Sequence, residues 1–191
     1  MATTFKTLNS ANDVTSTRTL LHEAIPLTGT IASGTYTDEN IKTYSHGMFE
    51  SVYDYPYLSS SANHIFDITT GYASDSSLSG AASIQNSKKL NIYSQMAQVL
   101  VGYDATGSIQ NFDQDGDIAG GGTKIKEPLF VNFSRLLTKD EMKKGSFSMS
   151  FLTGGTSAAR THLMTVADHG AATSYKVNSP AGEYGILYTS S

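Results

Sequence analysis

The chain has 191 residues, of which 39% are hydrophobic and only 16% charged, with a net charge of −4. That length fits one domain of ordinary size, and the weak negative charge excludes a broad cationic field for nucleic acid or acidic membrane. It contains no cysteine, which excludes disulfides, thiolate catalysis and zinc–thiolate sites.

Residues 1–10, MATTFKTLNS, lack the basic-then-apolar pattern of a secretory signal. They are polar and are expected to form an extended arm that orders against a partner. Residues 11–191 are expected to form a single structural domain. Asn12 or Asp13 caps a predicted helix reaching about Ala24, with an apolar stripe of Val14, Leu21 and Ile25. Pro26 forces the chain out of helix at Ile25. Leu27–Asn40 reads as a loop or weak hairpin punctuated by Gly29 and Gly34.

Two aromatic-rich runs follow, Met48–Leu58 and His64–Tyr72. In the second, His64, Phe66 and Ile68 alternate with Ile65, Asp67 and Thr69, the two-residue period of a pleated strand. The SSSAN link has turn composition, so the runs predict an antiparallel pair, with Pro56 marking an edge or a break. Ala73–Ser83 reads as a surface loop. Asn86 or Ser87 then caps a second helix on which Leu90, Tyr93, Met96, Ala97 and Leu100 recur at helical spacing; Gly102 stops it. Ile92, Val99 and Val101 widen its apolar surface beyond one stripe.

Tyr103–Thr123 is rich in Gly and Asp, with a hairpin expected at Asp115-Gly116 and a flexible connection at Gly120–Gly122. The best-specified stretch is Glu127–Leu152. Leu129, Val131 and Phe133 alternate with Phe130, Asn132 and Ser134 in a strand opened by Pro128. Thr138 and Glu141 have capping-box spacing, Lys143 and Lys144 suit the last turn of a short helix, and Gly145 suits its stop. Phe147, Met149 and Phe151 then alternate with serines in another strand. After a GGTSAA loop, strands are expected at Thr161–Val166, Tyr175–Asn178 and Tyr184–Tyr188. The abrupt ending resembles a chain that continues further. The fold class is therefore α+β or mainly β: antiparallel strands with two moderate helices and one short capped helix.

Candidate chemistry is thin. Asp113, Asp115 and Asp117 alternate as in the first half of a calcium loop. However, Ile118 stands where the sharp-turn glycine belongs and Lys124 where the bidentate glutamate belongs, so an Asp-Gly turn is the preferred reading. The five histidines, His22, His46, His64, His162 and His169, have no i,i+4 pair. Gly155–Ala159 lacks the second glycine of a nucleophile elbow, and Gly120–Gly122 lacks phosphate-loop spacing. No catalytic, cofactor-binding or metal residues are assigned. Tyr53, Tyr55 and Tyr57 are expected on one strand face. They serve there either as a partner-contact or sugar-binding patch or as an ordinary half-buried sheet face. The chain has eleven tyrosines, a residue that covers contact area at low entropic cost.

The motifs FESVYDYPYLSSSANHIFDITTGY, KKLNIYSQMAQVLVGYD, FVNFSRLLTKDEMKKGSFSMSF and NSPAGEYGILY carry a resemblance. They are similar to virion structural proteins of tailed bacteriophages, especially the T4-like myophages of marine cyanobacteria, from about Ala11 to Tyr188. The resemblance implies a non-enzymatic, multi-copy building block whose partners are other virion proteins. It would be assembled in the host cytoplasm, with the tail baseplate as the favoured place and neck or head surface, or a receptor- or glycan-binding tail module, as alternatives. No nucleic-acid partner and no membrane span are expected.

Overall fold

The computed structural model describes residues 38–80, 84–135, 141–156 and 159–190. Two antiparallel sheets dominate. The first has four strands in the order β1-β2-β3-β6: β1 (Ile41–Thr43), β2 (Glu50–Tyr53), β3 (His64–Thr70) and β6 (Leu129–Phe133). The second has three, in the order β11-β8-β7: β7 (Ser148–Thr156), β8 (Ala159–Ala167) and β11 (Tyr188–Ser190). Two ribbons accompany them among the described residues. One pairs β4 (Phe112–Asp113) with β5 (Lys124–Ile125), the other β9 (Lys176–Ser179) with β10 (Gly182–Tyr184). Helix α1 spans Ile84–Leu100 and the short α2 spans Ala171–Ser174. Among the described residues the fold is mixed α+β and mainly β, as expected.

The alternation in β6 decides which side of the first sheet meets which neighbour. Phe133, Val131 and Leu129 register with Phe66, Ile68 and Thr70 of β3, so these side chains share one face. Phe130 and Asn132 register with Thr69 and Asp67 on the other, and that second face receives α1. The Tyr93 ring meets Phe112 edge-on at 5.5 Å, and Phe112 meets Phe130 at 5.5 Å. Tyr93, Ala97 and Ala73 form the buried centre, with Ile109 and Phe112 packed against it. The helix sits this close because Gly71 carries no side chain. A Cβ there would stand 2.9 Å from the Phe130 ring and 3.0 Å from the Tyr93 backbone.

Several expectations need correction. Helix α1 starts at Ile84, so Asn86 and Ser87 lie inside its first turn rather than capping it. It does end before Gly102, whose φ of 84° is left-handed. Its apolar surface is divided: Ile92, Tyr93, Ala97 and Val101 are buried, whereas Val99 is 66% exposed and Leu100 half-exposed. The hairpin at Asp115-Gly116 is a long excursion between β4 and β5, not a two-residue turn. The glycines after Leu152 stay within β7, with register shifts at Gly154 and Gly155 absorbing the irregularity. The last expected strand is two, β10 and β11. Met142 lies in an isolated bridge and Lys144-Gly145 in a turn, so the described part of the expected capped helix is not helical. Thr138, the N-terminal arm and the helix ending near Ala24 lie outside the described residues. Pro56 does mark a break, since β2 ends at Tyr53.

Candidate functional site: an apolar trough between two sheets

A concavity lies where the two best-patterned strands face each other. Leu129, Val131 and Phe133 of β6 form one wall; Phe147, just before β7, with Met149 and Phe151 forms the other. The cavity measures about 530 Å³. The rings of Phe133 and Phe147 meet edge-on at 5.9 Å and join the sheets. Val166 and Leu187 extend the apolar lining from β8 and from the approach to β11. Both wall strands are edges of their sheets. The two apolar stripes visible in the sequence thus converge on one open trough.

Its polar rim is already engaged. Lys144 Nζ lies 2.8 Å from Glu183 Oε2, and that hydrogen bond raises the lysine above its ordinary value. The same ammonium sits 4.9 Å over the Tyr175 ring. Asp168, buried at the end of β8, accepts from the Gly145 N–H at 2.6 Å and the Phe147 N–H at 2.8 Å. This carboxylate holds the turn that delivers Phe147 to the trough. It went unnoticed in the sequence, where only the Asp-His-Gly run hints at a turn. An apolar concavity of this kind suits the burial of apolar side chains.

A second cleft of about 310 Å³ opens at the Leu129 end and shares that residue with the trough. It is lined by Tyr44, Phe49, Glu50, Ile68, Thr70 and Lys89. Lys89 Nζ donates to Thr69 Oγ1 at 3.3 Å. Burial lowers its pKa, and Glu50 acts in the opposite direction.

Tyr53, Tyr55 and Tyr57 do not share a strand face. Tyr53 ends β2, while Tyr55 and Tyr57 lie in the following bend and turn. The rings of Tyr53 and Tyr57 are 6.4 Å apart and tilted by 43°, and Tyr53 also meets His64 at 5.5 Å. Tyr55, Tyr57 and the 87%-exposed Leu58 form a projecting apolar turn.

Among the described residues a serine, a histidine and an aspartate come together at Ser51, His64 and Asp67. Asp67 Oδ1 accepts from Ser51 Oγ at 2.6 Å and lies 2.8 Å from His64 Nε2. A catalytic triad needs the imidazole between hydroxyl and carboxylate. Here the carboxylate is in the middle, so the histidine has no route to the serine proton, and the buried Ser51 ties β2 to β3. His46 Nδ1 accepts from the Met48 N–H at 3.0 Å. His22 and the His162 side chain fall outside the described residues.

The acidic loop resolves in the same structural sense. Asp113 Oδ1 accepts the N–H groups of Asp115 and Asp117 at 3.0 and 3.1 Å. Asp115 Oδ1 accepts the same Asp117 N–H at 3.0 Å. Lys124 Nζ donates to Asp113 Oδ2 at 2.8 Å and to the carbonyls of Asp117 and Ile118 at 3.2 and 3.1 Å. The residue that broke the calcium pattern supplies the loop's cation. Among the described residues no group of three His, Cys, Asp or Glu could hold a metal. The hydrogen bond from Lys124 holds Asp113 well below the usual carboxylate range. Its contribution is therefore present above about pH 4 and is lost as pH falls through the depressed value. Asp113→Asn should cost about 1–2 kcal/mol at pH 6, the scale of one charge-assisted bond to a partly exposed lysine. Parallel urea titrations should show the parent and variant converging in strong acid. Equal stability at pH 6 would count against the loop having this role.

Comparison with known protein families, with characterised proteins and with solved structures finds no match to this chain.

Proposed function

We propose that this chain is a non-enzymatic structural subunit of a tailed-phage particle, placed in the tail baseplate and acting through contacts with several neighbouring virion proteins. The phage assignment rests on the motifs quoted above. The contact reading rests on one observation: apolar surface is distributed over several separate elements. Leu58 follows β2, Val99 lies on α1, Val177 lies on β9 and Tyr188 lies on β11, and they are 87%, 66%, 69% and 52% exposed. Scattered apolar residues occur on any protein. Here, though, the Tyr55–Leu58 turn and the Leu187–Tyr188 pair are contiguous, as contact surfaces are. Among the described residues no helix is long and apolar enough to cross a membrane.

The polar arm at residues 1–10 serves as one such contact. Removing it should exclude the chain from assembled particles while leaving the melting temperature of the purified chain unchanged. Mass spectrometry of purified particles reads the first outcome and thermal unfolding the second. Incorporation of the truncated chain at normal copy number would refute the role of the arm. Location at the neck or head surface is the alternative within the same particle.

A glycan-binding tail module is the second reading, favoured by the projecting Tyr55–Tyr57 turn. It requires glycan binding by the purified chain that disappears when Tyr55 and Tyr57 are replaced by alanine.

A further inference from the structure

We propose that strand β6 pairs antiparallel with β6 of a second copy of this chain, about a two-fold axis at Val131, so that the two four-stranded sheets join into one. The pairing does not rest on the phage reading, because it should form in the purified chain.

Three observations carry it. The first is the backbone. The Ser134 N–H donates to the Ile65 carbonyl at 2.8 Å and the Gly71 N–H to the Pro128 carbonyl at 3.2 Å. Even-numbered residues of this stretch therefore bond toward β3, and antiparallel alternation turns the N–H and C=O groups of Leu129, Val131 and Phe133 the other way. Strand β6 ends its sheet, so among the described residues no strand pairs with that side.

The second is that this edge lacks the usual guards against pairing, which are charge, proline, shortness or a bulge. Strand β6 holds an unbroken register with β3 over the five residues LFVNF. The opposite edge of the sheet, β1, has three residues with Lys42 at its centre. In the other sheet β11 also has three, and the register of edge strand β7 shifts at Gly154 and Gly155.

The third is self-complementarity. With both copies of Val131 on the axis, Leu129 stands opposite Phe133, and each facing pair exchanges both of its N–H···O bonds. These side chains lie on the trough face, so the second copy lays another apolar row beside the trough. Two residues further out, Glu127 stands opposite Arg135 of the second copy, at both ends of the paired strands. A slip of two residues would instead put Phe133 opposite Glu127 or Leu129 opposite Arg135. Within one copy Glu127 and Arg135 lie at opposite ends of the strand, roughly 25 Å apart at its rise, so their charges match between copies and not within one. The Glu127 carboxylate accepts from Ser76 Oγ, which anchors it and leaves it further acceptor capacity.

Sedimentation of the purified full chain should show a reversible monomer–dimer equilibrium. Glu127→Arg and Arg135→Glu should each weaken association several-fold by setting like charges opposite one another, and the double variant should restore it. A folded parent that stays monomeric at high concentration would overturn the pairing in favour of another occupant of the edge. A double variant no tighter than the single ones would overturn this register. The absence of cysteine permits a direct reading as well. Val131→Cys brings two thiols together across the axis, and a short bis-maleimide should link the chain into dimers. Asn132→Cys, on the other face and opposite Phe130, should link several-fold less. Thermal unfolding checks that each variant is folded. Equal linking of the two folded variants, or none, would overturn the inference.

Discussion

Asp168→Ala should destabilise the protein by about 3 kcal/mol, because one buried carboxylate accepts two backbone N–H groups. A hydrogen bond to a charged acceptor contributes about 1.5–3 kcal/mol, and truncation leaves the donors of Gly145 and Phe147 without it. The backbone adds one further link, the Asp168 N–H to the Phe147 carbonyl at 3.2 Å, which should persist in the variant. In a domain of this size the change corresponds to a fall of about 6–12 °C in melting temperature. Asp168→Asn is the sharper comparison. Its amide keeps one acceptor but turns an NH₂ group toward the other N–H, so it should recover no more than about half the loss. The consequence should be local as well as global. Phe147 forms one wall of the trough and touches Phe133, so amide exchange in 145–151 should accelerate in either variant. Stabilities within about 0.5 kcal/mol of the parent, the range of an ordinary surface change, would show that the turn is held by other means.

Tyr93 is the second position where a large effect is expected. The side chain is 2% exposed, and its ring packs edge-on against Phe112 within the buried centre. Tyr93→Ala should cost about 3–5 kcal/mol, the range for deleting a buried aromatic side chain. The hydroxyl has its own role. It donates to the Ile125 carbonyl at 3.1 Å and accepts the Phe112 N–H at 3.3 Å, joining α1 to both strands of the β4–β5 ribbon. Tyr93→Phe keeps the packing and should cost about 1 kcal/mol from those bonds. Burial pushes this phenol above its ordinary value. The contribution is therefore complete below about pH 10 and declines as pH rises through the raised value, where the charged form must be accommodated in the core. Tyr93→Phe should remove that alkaline dependence. Denaturation curves at neutral pH and near pH 11 would measure both effects, and a Tyr93→Phe variant as alkali-sensitive as the parent would assign the dependence to another group.

The distinction between these sites and the legible parts of the sequence is one of range. Strand β6, strand β7, the β2–β3 pair and the existence of α1 were readable because each is announced by neighbours one to four residues apart. The alternation of Leu129, Val131 and Phe133 is a local fact about side-chain direction, and Gly102 ends α1 through its own backbone freedom. Local pattern also misled. Thr138, Glu141, Lys143 and Lys144 have the spacing of a capped helix, yet the Lys144-Gly145 turn is held by Asp168, a residue 23 positions from Gly145. The three tyrosines alternate like a strand, but β2 stops at Tyr53 as the chain turns through Pro56. Spacing announces what a side chain could meet within a few residues and is silent about partners brought in from elsewhere.

The same reasoning separates the two readings of the acidic loop. Asp113, Asp115 and Asp117 are compatible with either a cation or a turn when taken alone. Pairing of β4 with β5 carries Lys124 back beside Asp113, where its ammonium donates to the Asp113 carboxylate.

By itself the sequence determined the alternation of the strands, the position of the main helix, the absence of thiol chemistry and the low surface charge, because each follows from residue type and short-range geometry. Tertiary structure alone decided that the apolar faces of β6 and β7 meet in a trough, that Asp168 holds its turn and that Asp67 stands between Ser51 and His64. Those outcomes depend on which distant segments a closed hydrogen-bond register and a close-packed core bring within about 3–6 Å.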